Sequence, residues 1–343
     1  MSSVTIIIFS RERNKELQET IKYWNRKHFP VKIYHNSSAP VEKRYIANHI
    51  EYYLTSGLSL GARATLARDQ VSSQYSIICS DDERLLETGL NEMSSTLDLY
   101  PELMSIGARV LSSFRYGPRT TGRFIYEHMN GYSNYNSNLK KRLKEHLAPK
   151  NERIVIGGMY RMFRKSGMID LLDGLATCSG MKSPYTYQYM SEVVVGSIGA
   201  TVNLNCLYWI RNWDKGFISN INWDRQYAIS RWWISKENAN EVENFINFIS
   251  SRFQLEPSFV RNILTKLFFE CRSYEQSNKL KHQIRIPFTE YAKYLVKLGI
   301  QPASLPSALH SVLMKDSSIS EANALEAHFV TKELMGFKLK RRW

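Results

Sequence analysis

The chain has 343 residues, 43% of them hydrophobic, and a formal net charge of +14. That length fits one large α/β domain with additions, or two domains, and the apolar fraction is enough for a real core, which excludes a largely disordered chain. The basic balance implies an acidic partner; nucleic acid, anionic lipid, nucleotide diphosphates and charged glycans all qualify.

The four cysteines, 79, 178, 206 and 271, show neither CxxC nor zinc-ligand spacing. Unpaired cysteines suit a reducing compartment, and a cytoplasmic location is expected. The opening MSSVTIIIFSRERNK has only a short apolar run and no cleavage site, so no signal peptide is expected. No apolar stretch is long enough to span a bilayer, so any membrane contact would be peripheral.

In chain order, the first half alternates strand and helix signals. Val4–Phe9 reads as a buried strand, and Arg11–Arg26 as a helix carrying Leu17, Ile21 and Trp24. Val31–Tyr34 is a second strand, closed by the turn-forming run 36–40. Tyr45–Leu54 reads as helix, and Gly57 and Gly61 frame a turn into a helix ending at Val71. Tyr75–Cys79 is a third strand, Leu85–Leu97 an amphipathic helix and Met104–Val110 a fourth strand. Ser112–Lys150 is polar, aromatic and basic, and reads as a long loop with a short basic helix. Strand character returns over Arg153–Phe163 around Gly157–Gly158, and a helix follows from Lys165. Tyr185–Ile198 is helical, and Thr201–Ile210 is a strand. Helical pattern then dominates, over Val242–Phe253, Pro257–Arg272, Pro287–Leu298 and Ser320–Met335. This order predicts an α/β fold: a mostly parallel, Rossmann-like sheet with helices on both faces. The division expected is a domain over 1–235 and a helical C-terminal region over 236–343.

In such sheets, ligands bind beyond the carboxyl ends of the strands. There the sequence places Ser10–Arg11, Asn36–Ser38 and Ser80–Glu83. The sharpest feature is YSIICSDDERL, residues 75–85, where an apolar strand runs into three consecutive carboxylates. Adjacent acids repel one another unless a partner relieves them. A hard cation, Mn²⁺ or Mg²⁺, would do so through oxygen ligands, and would also bridge to a diphosphate. An acidic helix cap is the plainer reading of three such residues in isolation.

Taken as an ordered set, several segments resemble bacterial GT-A-type glycosyltransferases, in the family-2-like group that builds capsules and lipopolysaccharides. They are TIIIFSRERNKELQETIKYW, VKIYHNSS, GLSLGARATLARDQVSSQYSIICSDDE and GARV at 107–110. The resemblance implies transfer of a sugar from a nucleotide-diphosphate donor to a glycan or lipid-linked acceptor, with inversion and metal assistance. Ser10 and Arg11 would line the nucleotide pocket. Asn36 and Ser37 would stand where the family often uses an Asp for the base, and Arg63 would approach the donor. Asp81 would contact ribose or metal, with Asp82 beside it, and Glu83, where Asp is commoner, would be the metal ligand. IGGMYRMFRKSGMIDLL resembles the acceptor side, and Glu192 is the candidate base, with Asp170 and Asp173 in reserve.

Beyond Arg211 the resemblance fades. Trp213, Trp223, Trp232 and Trp233 could face sugar rings, but domain packing is their plainer role. Arg211, Lys215, Arg225 or Arg231 would stabilise the leaving diphosphate. The terminal FKLKRRW would suit an anionic membrane surface near a lipid-linked acceptor, although a solvated terminus is the plainer reading. A nucleotidyltransferase is a rival reading, but Ser10-Arg11-Glu12-Arg13 lacks the glycines of a phosphate loop. A non-enzymatic nucleic-acid-binding protein is another; it would leave the acidic strand end misplaced, so no nucleic-acid partner is expected.

Overall fold

The computed structural model describes residues 4–42, 46–116, 119–126, 130–148, 157–212, 229–270, 313 and 316–334, with backbone alone at 114–116 and 119–121. The strands are β1 (Val4–Arg11), β2 (Val31–Asn36), β3 (Ile50–Leu54), β4 (Tyr75–Ser80), β5 (Arg84–Leu85), β6 (Leu103–Tyr116), β7 (Arg119–Ile125), β8 (Ser133–Asn134), β9 (Met162–Arg164) and β10 (Ala200–Asn212). They form one sheet in the order β3-β2-β1-β4-β9-β6-β10-β5, with β7 on β6 and β8 on β10. β3, β2, β1 and β4 pair in parallel, as do β6 and β10. The short β9 lies antiparallel between β4 and β6, so all six of these strands run the same way.

Helices cover both faces, and strand alternation explains why. Val4, Ile6 and Ile8 of β1 enter one core, while Ile7 enters the other. β4 splits the same way, Ile77 and Cys79 against Ile78. The first face is covered by α1 (Asn14–Trp24) and α3 (Glu87–Leu99). The second face is covered by α2 (Leu60–Asp69), α4 (Leu139–Leu147), α5 (Lys165–Thr177) and α6 (Thr186–Ile198). Behind them lie α7 (Ile229–Ile234), α8 (Ala239–Phe253) and α9 (257–270). Each fully buried Leu or Ile in these layers contributes roughly 1.5–3 kcal/mol.

The last described helix, α10 (Glu321–Leu334), returns to the first face. Glu326 accepts hydrogen bonds from the Glu87 and Thr88 amides, each at 2.9 Å, at the start of α3, where a carboxylate also favours the helix dipole. Asn323 accepts from the Leu207 amide at 2.8 Å and donates to its carbonyl at 2.7 Å. Arg109 pairs with Asp316 at 2.6 Å.

Three expectations are corrected. Ile50–Leu54, read as part of a helix, is an edge strand; its Ile-Glu-Tyr-Tyr-Leu composition favours a pleated surface, and β2 supplies its hydrogen bonds. The region after Ser112 is not simply a loop with a short helix. β6 continues to Tyr116 and folds back against β7, and β8 joins the sheet at β10 before α4 begins. Around Gly157–Gly158 the chain makes a 3-10 turn over Gly158–Tyr160, and the strand comes later, at Met162.

Trp232 and Trp233 are buried among α7–α9 and bonded to Glu241 and Thr265, so they serve helix packing. Arg231 is exposed. Trp213, Lys215, Trp223, Arg225, Cys271, Pro287–Leu298 and Phe337–Trp343 lie outside the described residues. Among those described, no helix is long and apolar enough to cross a membrane.

Candidate functional site

The carboxyl ends of β1 and β4 are neighbours, because Phe9 pairs with Ser80. The side chains that follow therefore meet. Ser10 Oγ donates to Asp81 Oδ2 at 2.6 Å, and Arg13 Nη1 reaches Asp81 Oδ1 at 3.0 Å and Asp82 Oδ2 at 2.6 Å. Ser80 Oγ donates to Asp82 Oδ1 at 2.7 Å. Burial raises the Asp81 pKa, and the Ser10 hydrogen bond and the Arg13 charge oppose that rise.

The loop is braced from behind. Thr20 of α1 donates to the Asp81 carbonyl at 2.5 Å, and Tyr23 Oη to the Leu85 carbonyl at 2.6 Å. The buried Arg84 guanidinium donates to Thr20 Oγ1 at 2.8 Å and to the Glu83 carbonyl at 2.7 Å.

Glu83 faces a different way from Asp81. β5 pairs with β10 through Leu85–Trp209 and Arg84–Ile210, which carries Glu83 to the end of β10. There Trp209 Nε1 donates to Glu83 Oε2 at 2.9 Å, and Arg211 Nε lies 3.0 Å from Oε1. Burial pushes the Glu83 carboxyl up to about 7, with Arg211 pulling the other way. Arg211 also donates to Tyr126 Oη at 2.8 Å, and its guanidinium lies 5.5 Å from the Trp209 ring centroid.

Arg211 and Glu192 line the same small cleft, with Tyr126, Gly157–Tyr160 and Gln188. Glu192 projects from α6 and is 2% exposed. Its Oε1 accepts from the Gly157 and Gly158 amides at 2.7 and 2.6 Å, and its Oε2 lies 3.0 Å from His146 Nε2. Gly158 must lack a side chain: a Cβ there would lie 2.9 Å from the Ser191 carbonyl carbon and oxygen. The reserve acids are engaged elsewhere, Asp170 with Arg252 and Asp173 with Arg68.

The expected nucleotide-side residues do lie at the strand ends, and most are already bonded. Arg63 is buried and donates from Nη1 to the Ser10 carbonyl at 2.7 Å and the Tyr34 carbonyl at 3.2 Å, tying β1 to β2. Asn36 spans the loop after β3, donating to the Leu58 carbonyl at 2.8 Å and accepting from the Gly57 amide at 3.0 Å. Ser37 is buried and accepts from the Ala39 amide at 3.2 Å, whereas Arg11 is exposed. The same edge holds buried polar atoms, His35 Nε2, Thr55 Oγ1 and Asn14 Oδ1, that have no hydrogen-bond partner among the described residues.

A hard cation would suit Asp81 and Asp82, which share the Arg13 charge at a strand end. Glu83 would have to give up Arg211 and Trp209 to join them. Among the described residues, no three His, Cys, Asp or Glu side chains converge as a metal site.

Sequence reasoning missed Arg13, Thr20, Arg84, Tyr126, Trp209 and His146. Arg13 and Arg84 stood inside the quoted motifs, but which carboxylate each would meet depends on strand pairing. No known family profile and no curated protein matches the chain. Among solved structures, it is similar to residues 1–349 of S. aureus TarS, at 12% identity over 80% of this chain and 91% of that one, with a TM-score of 0.43. The UDP-GlcNAc complex of the same protein is similar at 12% identity, covering 80% and 92%, with a TM-score of 0.43. Its UDP complex is similar at 11% identity, covering 80% and 91%, also at 0.43.

Proposed function

We propose that this protein is a glycosyltransferase that moves a sugar from a nucleotide-diphosphate donor to a glycan or lipid-linked acceptor, inverting the anomeric centre. One observation carries the reading. At the carboxyl edge of parallel strands, an acidic strand end is held by Ser10 and two arginines, and one of those arginines shares a cleft with a buried carboxylate.

In the proposed reaction, the acceptor hydroxyl oxygen attacks C1 of the sugar. The bond from C1 to the diphosphate oxygen breaks, and its electron pair leaves with the diphosphate. The hydroxyl proton passes to Glu192, the acid that lines the cleft. Arg211 turns from Glu83 to the diphosphate, and Arg13 supplies a second positive charge. Ser10, Arg11, Asn36, Ser37 and Arg63 shape the nucleotide side, where His35 and Thr55 offer polar atoms without partners among the described residues. Mn²⁺ or Mg²⁺, held by Asp81 and Asp82 and by Glu83 once released, would add Lewis-acid stabilisation of the departing charge. Tyr126 and Tyr160 give the cleft aromatic walls suited to a sugar ring.

The test is a thermal-shift screen of nucleoside diphosphates and UDP-GlcNAc, with and without Mn²⁺. Ligand binding to the folded state raises the apparent Tm by mass action. A metal-dependent rise that is lost in Asp81→Ala and Glu83→Ala, with both variants folded, is expected. An unchanged rise in both variants would reduce the acidic motif to a structural cap. With a donor in hand, Glu192→Gln should bind it normally and transfer roughly two to four powers of ten more slowly. Near-normal transfer would remove Glu192 from the reaction.

A further inference from the structure

Behind Glu192 lies a buried polar chain that the reaction above does not use. His146, on α4, is fully buried; its Nε2 lies 3.0 Å from Glu192 Oε2 and its Nδ1 2.9 Å from Tyr132 Oη. Tyr132 Oη accepts from Asn134 Nδ2 at 3.3 Å, and Asn134 Nδ2 also donates to the Arg142 carbonyl at 3.0 Å. α4 is fastened against the end of α6 by Arg142, which donates to the Gly196 carbonyl at 3.0 Å and the Ser197 carbonyl at 2.7 Å. Gly196 permits the close approach: a Cβ there would sit 2.9 Å from Leu143 Cδ1 and 3.0 Å from His146 Cβ.

We infer that His146 is a positioning residue for Glu192, donating from Nε2 to its carboxylate and braced at Nδ1 by the Tyr132 hydroxyl. The inference rests on the glycosyl-transfer reading only for its purpose, not for its geometry. An ionised carboxylate has about four acceptor sites. Gly157 N–H, Gly158 N–H and His146 Nε2–H fill three of them, which locks the orientation of the group and leaves one site on Oε2 for an incoming hydroxyl proton. The Tyr132 hydroxyl, 2.9 Å from Nδ1, fixes the ring from its other side, so that Nε2 faces Oε2. Among the described residues, the charged and titratable groups around the pair include Arg142 and Glu145 on α4, Tyr132 before β8, the buried Arg161 after the 3-10 turn and Tyr126 in the cleft. The basic segment before Gly157, read from sequence as a surface loop with a short helix, therefore delivers a group that orients the candidate base.

Two measurements on the full chain test this. Nitrogen-15 spectra of labelled histidine should show, for the ring lost in His146→Gln, a protonated Nε2, and Tyr132→Phe should move the Nδ1 signal. An unprotonated Nε2 would overturn the assignment. Glycine-selective spectra then separate orientation from packing. His146→Phe fills the space without a donor, whereas His146→Gln keeps an N–H donor with poorer packing. The Gly157 and Gly158 amide resonances should shift upfield in His146→Phe and stay near their native positions in His146→Gln. The reverse pattern, or no change in either variant, would leave His146 as packing alone. Binding of ADP, GDP, CDP and UDP with Mn²⁺ tests the glycosyl-transfer reading separately, so that either can fail without the other.

Discussion

Replacing Glu83 by Gln should stabilise the metal-free protein at alkaline pH, the opposite of what breaking an ion pair suggests. Glu83 is 5% exposed, and its carboxyl sits at about 7 in the fold against an ordinary 4.5. Burial is the larger cause, and Arg211 offsets only part of it. Between those two values the folded protein keeps the proton that the unfolded chain has released. Stability therefore falls as pH rises from 4.5 to about 7, and it does not recover above that. At about 1.4 kcal/mol per pH unit, this interval costs roughly 3 kcal/mol. Arg211 stays charged throughout, so the titration belongs to Glu83. Gln keeps the size and cannot ionise. Urea unfolding with chelator present, at about pH 5 and about pH 8, should show Glu83→Gln gaining roughly 3 kcal/mol on the native protein across that interval, while nucleotide binding weakens. Such an exchange of stability for a poised charge is common at functional sites. If the two stability curves run parallel, or if the variant loses the roughly 3–5 kcal/mol typical of a broken buried pair, then Arg211 holds Glu83 ionised and the reasoning fails.

Gly158→Ala should cost about 1–3 kcal/mol by forcing the turn away from Ser191, whereas Gly157→Ala, whose Cβ would meet nothing among the described residues, should cost less in thermal melts. The Asp316 carboxyl is held at about 2 by its hydrogen bond to Arg109, so this pair stabilises the fold above the ordinary 3.8 and loses that effect as pH falls towards 2. Because the Asp316 side chain is partly exposed, Asp316→Asn should cost on the order of 1 kcal/mol at neutral pH and nothing at the acid end, as read by denaturant titration. Deleting Phe337–Trp343 should weaken sedimentation with anionic vesicles and leave turnover of a soluble acceptor intact; equal sedimentation would assign the tail to solvent.

Local apolar content marked β1, β2, β4 and parts of β6 and β10, most plainly where a strand buried on both faces reads as a nearly continuous apolar run and needs no partner to be recognised. The acidic strand end was legible for the same reason, because three carboxylates after an apolar run are a local feature. Ile50–Leu54 was not, because a short edge strand is specified by the neighbour that supplies its hydrogen bonds. Neither was the turn at Gly157–Gly158, whose shape is fixed by Glu192, 34 and 35 residues away. The sequence also presented Asp81, Asp82 and Glu83 as one cluster. Only the pairing of β5 with β10 separates them, sending Glu83 to Arg211 and Trp209 while Asp81 and Asp82 stay with Arg13. Composition and periodicity act over a few residues and determine the elements and the edge of the sheet where a site can form. Which charge meets which is decided by contacts between residues far apart in the chain, 126 positions in the case of Trp209 and Glu83, and only the folded sheet brings those together.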